Sequence, residues 1–133
     1  MTEKNYNDIK LIDHLKRLFP ICRSITGDGT RKTLKYFENF HKEYQRLKFK
    51  TGLKVLDWEI PKEWNIKNGY FEHIETGKRF AEFKKNNLHI VNYSEPINTV
   101  IDYSQLIERL HTIKDKPNWI PYITSYYKKY WGF

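Results

Sequence analysis

Cysteine occurs once, as Cys22, so no disulfide can form within the chain, and a closed thiolate zinc finger is equally excluded. No apolar run exceeds a few residues, which is too short for a helix that spans a bilayer. The opening segment, MTEKNYNDIK, is charged at once and has no apolar core of a secretory signal. These absences describe a soluble, intracellular protein, expected in the cytoplasm. Alanine also occurs once, whereas Lys, Ile, Asn, Tyr and Phe are plentiful. That profile is what AT-rich codons produce, so a formal charge of +8 does not by itself require a nucleic-acid partner.

What is present is enough for one folded domain. In 133 residues there are 4 Trp, 10 Tyr and 8 Phe, too many order-promoting side chains for a disordered chain. Ile9, Ile12, Leu15, Leu18 and Phe19 fall at helical spacing after a cap at Asn7 or Asp8, and Pro20 ends this helix. Pro20–Asp28 reads as a loop punctuated by Gly27 and Gly29. A second helix begins near Asp28 or Thr30, with Leu34, Phe37, Phe40, Tyr44 and Leu47 as its apolar stripe and Glu38–Lys42 as an i, i+4 pair. From Lys48 the texture turns to β-branched and aromatic residues with recurring turn pairs. Candidate strands are Leu53–Ile60, Gly69–Ile74, Arg79–Phe83 and Leu88–Tyr93, with hairpin turns at Thr76-Gly77 and Asn86-Asn87. Asp102 and Gln105 form a capping box at the start of a third helix, which carries Leu106, Ile107 and Leu110 and breaks at Asp115-Lys116-Pro117. The expected fold class is α+β: two N-terminal helices, a small antiparallel sheet, a third helix and an aromatic-rich tail from Trp119 to Phe133.

The residues offer little local catalytic chemistry. No two of His14, His41, His73, His89 and His111 stand three or four apart, and none lies in an H-E-x-x-H pattern. Cys22 sits beside Arg23, but no local histidine supplies the base a nucleophile needs, so a small buried thiol is the simpler reading. The Ser24–Gly29 loop lacks the spacing of a P-loop and could serve at most as an anion site at the second helix's N-terminus. Basic charge with interleaved aromatics also permits a stand-alone module that binds nucleic acid or a protein. The loop between the first two helices is too long for a helix-turn-helix, however.

Three stretches carry a family resemblance. They are Leu18–Arg31 (LFPICRSITGDGTR), Asp57–Ile66 (DWEIPKEWNI) continued by Phe83–Ser94 (FKKNNLHIVNYS), and Ile120–Phe133 (IPYITSYYKKYWGF). In this order they resemble the N-terminal part of a bacterial aminopeptidase-like zinc exopeptidase family, whose members often occur near polysaccharide-biosynthesis genes. The resemblance implies an α/β exopeptidase domain interrupted by an inserted domain of unknown function and usually followed by a winged helix. It divides this chain into residues 1–47 of the exopeptidase-like domain, 48–117 of the insert, and 118–133 as the return segment, an incomplete piece of the larger fold. The family's zinc ligands lie beyond the segment matching WGF. The resemblance therefore implies no metal ligand and no catalysis in this chain alone, with zinc in the full-length member. The expected partner is the downstream part of the same exopeptidase domain. Without it, self-association through the exposed aromatics of the tail is expected. Arg23, with its planar fork, is the candidate for meeting a substrate carboxylate. Tyr126, Tyr127 and Trp131 are candidates for lining a pocket.

Overall fold

A computed structural model of the chain describes residues 10–41 and 43–133. It divides into two compact units, Met1–Asn65 and Ile66–Phe133. The division into 1–47, 48–117 and 118–133 refers to the plan of a longer protein, whereas these units are defined by contacts within this chain. No helix among the described residues is long and apolar enough to cross a membrane.

Among its described residues the first unit has α1 (Leu11–Leu18), followed by α2 (Asp28–Glu38). The proposed caps Asn7 and Asp8 lie outside the described residues. His14 on α1 meets Tyr36 on α2, its Nδ1 lying 2.7 Å from the tyrosine hydroxyl, and sets its ring edge-on to Phe40. The expected long second helix stops early. Tyr44 and Leu47, assigned to its apolar stripe, are exposed. The reason shows in Glu38, whose carboxylate accepts three hydrogen bonds from Arg46 at 2.5–2.8 Å. Eight helical residues would separate the two by roughly 12 Å, so the chain must fold back after Asn39 for them to meet. Lys42, the partner expected for Glu38, lies outside the described residues.

The single strand expected over Leu53–Ile60 is instead a small hairpin, β1 (Lys54–Val55) against β2 (Trp58–Glu59), with Val55 opposite Trp58. Its turn places Leu56 in the left-handed region, at φ 54°. Leucine is not a turn residue by propensity, which is why the reversal was invisible in the sequence.

In the second unit, β3 (Phe71–His73) pairs antiparallel with β4 (Lys78–Phe80) across the Thr76-Gly77 turn, as the sequence predicts. Gly77 adopts φ 65°. Cross-strand partners match in character: Phe71 stacks on Phe80 at 5.3 Å, and Arg79 donates to Glu72 at 2.7 Å. The second expected hairpin does not form. Asn86 turns its side-chain oxygen onto the N–H of Leu88 at 2.9 Å and caps a 3₁₀ turn, Asn87–His89. After that turn Ile90 is extended, and Asn92 makes a parallel bridge to Thr124. The expected single sheet is thus two separate hairpins, and the α+β class stands.

The core of this unit is the run Ile90-Val91-Asn92, 7%, 4% and 6% exposed. The tail wraps it. Val91 N–H donates to Gly132 O, Asn92 N–H to Ile123 O and Glu95 N–H to Tyr130 O. Phe133 donates its N–H to Arg109 O and accepts from His111 N–H, both at 2.8 Å. The last helix, α3 (Tyr103–Ile107), begins with the Asp102–Gln105 capping box. It ends at Glu108, earlier than the break at Asp115-Lys116-Pro117; the chain turns at Arg109, and the backbones of Arg109 and His111 bond to Phe133. Of the tail's aromatics, Trp119, Tyr122 and Tyr127 are exposed, while Tyr126, Tyr130, Trp131 and Phe133 are half-buried.

Candidate functional site

A groove of about 520 Å³ opens beside α1 in the first unit, lined by Leu15, Lys16, Leu18, Phe19 and Arg23. Its floor is apolar and its two charged side chains are both cations. Arg23 sits at the C-terminal end of α1, where Leu18 O also accepts the N–H of Ile21 at 3.1 Å. Its Nη1 donates to Leu18 O at 2.7 Å, a favourable place for a cation at a helix C-terminus. Arg23 is exposed and forms no ion pair among the described residues. With five donors on a planar fork and one of them committed to Leu18, the guanidinium can still present a face to a carboxylate.

The loop bearing Arg23 is pressed against α2. Thr30 Oγ1 donates to Ser24 O at 2.5 Å. A Cβ on Gly29 would lie 1.7 Å from Cys22 O, so only glycine lets the loop pass this closely. Partial burial pushes the Cys22 thiol above its usual range, and Arg23 offsets this only in part. The thiol is therefore held protonated at neutral pH, which suits a packing role better than nucleophilic attack. The N-terminus of α2 is not an open anion site either. Asp28 N–H already donates to Asn65 Oδ1 at 2.7 Å, and Arg31 is engaged by Glu63 and Asp28.

The other three candidates lie in the second unit. Tyr126 and Tyr127 come together, their rings 6.4 Å apart, and Tyr126 also sets its edge against Tyr93 at 4.9 Å. Tyr122 and Tyr126 bring their hydroxyls to 3.5 Å. Trp131 belongs to a different cluster, with the Arg109 guanidinium 5.1 Å over its ring and Phe133 edge-on to it.

Two residues beside the tyrosines were not singled out from the sequence. Tyr93 is held at φ 65°, a strained conformation for a bulky side chain. Its neighbour Asn92 is buried with no hydrogen-bond partner for its side-chain oxygen. Both lie at the parallel bridge to Thr124, a long-range pairing that no local pattern announces.

The described residues gather no ligand set for zinc. Among the described residues no three of His, Cys, Asp and Glu converge to hold an ion. Four histidines are instead engaged singly, His14 with Tyr36, His73 with Thr76, His89 with Glu82 O and His111 with Tyr130.

The fold and these sequence motifs place the chain among known proteins. It belongs to the family described as "Domain of unknown function (DUF2172)", whose model matches residues 63–133, just over half of its length. It is 46% identical over 119 residues to a Clostridium acetobutylicum protein named "Putative polysaccharide biosynthesis protein with aminopeptidase-like domain". That alignment covers 90% of this chain and 27% of the relative. The fold superposes on the crystal structure of a "putative peptidase" from Clostridium acetobutylicum with a TM-score of 0.83 at 45% identity, covering 91% of this chain and 28% of that one. The chain thus spans little more than a quarter of the proteins it resembles. These relatives lend no support to the alternative of a stand-alone nucleic-acid or protein-binding module.

Proposed function

We propose that this chain is the N-terminal part of an aminopeptidase-like zinc hydrolase, supplying substrate-site walls and no catalytic groups of its own. The observation that supports this best is the close superposition, at 45% identity, on a structure named as a "putative peptidase" of which it matches 28%. In this reading Arg23 meets a carboxylate of the substrate, with Leu15, Leu18 and Phe19 receiving an apolar side chain beside it. Tyr126, Tyr127 and Trp131 are the wall candidates of the second unit. The division into 1–47, 48–117 and 118–133 belongs to the same reading. The zinc of such a hydrolase, which polarises the scissile carbonyl and activates water, would be held by residues outside these 133. The working location is the cytoplasm.

Two measurements test this. The isotope-labelled chain is titrated with N-acetyl-leucine and with its amide, following amide shifts. Saturable changes at Leu15, Phe19 and Arg23 are expected with the carboxylate only, and Arg23→Gln should abolish them. Equal changes with the amide, or none with either, would remove Arg23 from the site. The chain with added zinc should also leave aminoacyl p-nitroanilides intact, and turnover would overturn its non-catalytic role.

A further inference from the structure

Four consecutive residues, Lys62 to Asn65, lie along the first turn of α2, and each touches a residue between Thr26 and Arg31. Thr26 Oγ1 donates to Lys62 O at 3.4 Å. Arg31 grips both oxygens of Glu63, at 2.5 and 2.8 Å, and holds Asp28 at 2.7 Å. Trp64 O stands 2.5 Å from where a Cβ on Gly27 would be, and Gly27 itself is buried at φ 111°. Asn65 Oδ1 accepts the N–H of Asp28, completing a helix cap supplied from 37 residues away. The N-cap position is glycine, whose side chain can offer no acceptor, so the cap has to be brought in.

These contacts run on into the Arg23 loop, since Thr30 bonds Ser24 O and Gly29 packs on Cys22 O. We infer that Lys62–Asn65 is a clasp that holds the start of α2 and the α1–α2 loop as one cooperative element, so that releasing it loosens residues 22–31 together. The clasp is a property of the fold and does not depend on the proposed hydrolase role.

Hydrogen exchange read by mass spectrometry on the full chain tests it. Glu63→Gln should raise exchange in peptides covering residues 22–31 and 60–66 in parallel, by about three-fold or more, while Phe71–Phe80 stays unchanged. Asn65→Ala should give the same paired pattern, and the swap Arg31→Glu with Glu63→Arg should restore protection. The inference fails if exchange rises only in 60–66, if neither segment responds, or if the whole chain loosens at once.

Discussion

The two units are held in opposite ways. The second is built on two buried aliphatic side chains, Ile90 and Val91, with backbone rungs from the tail around them. The first has no buried side chain in either helix. It is joined by polar contacts, exposed at the clasp on α2 and the Glu38–Arg46 pair and half-buried at the His14–Tyr36 bond, where Phe40 packs beside the imidazole. Burying an Ile or Val side chain contributes about 1.5–3 kcal/mol, whereas ion pairs in water contribute little because solvent and salt screen them. Surface polar contacts can specify one conformation without making it costly to leave. Local opening should therefore be easier in the first unit than in the second.

The largest test of that contrast compares one apolar truncation in each unit. Ile90→Ala should destabilise the second unit by about 2–5 kcal/mol, through lost transfer energy and a cavity the neighbours cannot fill. Leu15→Ala, at a side chain 54% exposed, should cost under about 1 kcal/mol. Urea unfolding followed by exchange protection in each unit measures both. Equal costs would mean that the groove beside α1 is better packed than its exposure indicates.

Much of the local structure was legible because its causes are local. The capping box at Asp102, the Thr76-Gly77 turn and the start of α2 at Asp28 each depend on a few adjacent residues. What escaped depends on distant ones. Nothing near Asn65 marks it as the cap of a helix 37 residues earlier. Nothing near Val91 marks Gly132 as its hydrogen-bond acceptor. Asn86 could serve a hairpin turn or cap a 3₁₀ turn, and the residues that follow bond to the distant tail, Val91 to Gly132 and Asn92 in a parallel bridge to Thr124, rather than to a neighbouring strand. The candidate site divides along the same line. Arg23 was found as a loop cation beside Cys22, but the apolar residues that share its groove were read only as a helix stripe.

A smaller effect sharpens the account of the first unit. Gly27→Ala and Gly52→Ala both force a side chain onto a positive φ, at 111° and 82°. Each should lose about 1–3 kcal/mol of local stability from that strain. Only Gly27 also meets a backbone atom, Trp64 O, whereas a Cβ on Gly52 would find just the Glu59 side chain at 3.7 Å. The excess cost at Gly27, read by thermal unfolding of the two variants, reports the closeness of the clasp. Equal losses would show that Trp64 can move aside freely.

The smallest effect is a pH dependence that the two units should not share. Hydrogen bonds from Arg31 hold the Glu63 carboxyl below the usual carboxylate range, opposed in part by desolvation and less by the like charge of Asp28. A carboxyl whose folded value lies below its unfolded value stabilises the fold above the unfolded value, about 4.3 for Glu. That contribution is lost as the pH falls through the folded value. Arg31 stays charged throughout, held still more firmly protonated by Glu63 and Asp28. Acid should therefore neutralise the clasp from the Glu63 side and release the amide of Asp28, while Val91, whose N–H donates to a backbone carbonyl, has no titrating partner. After correction for intrinsic exchange, the ratio of Asp28 to Val91 exchange rates should climb below about pH 4. Raised salt at pH 6 should push the ratio the same way, since screening weakens the exposed pair. A ratio that stays flat through both titrations would show that the cap from Asn65 and the fit of Gly27 under Trp64 hold the first turn of α2 without the ion pair.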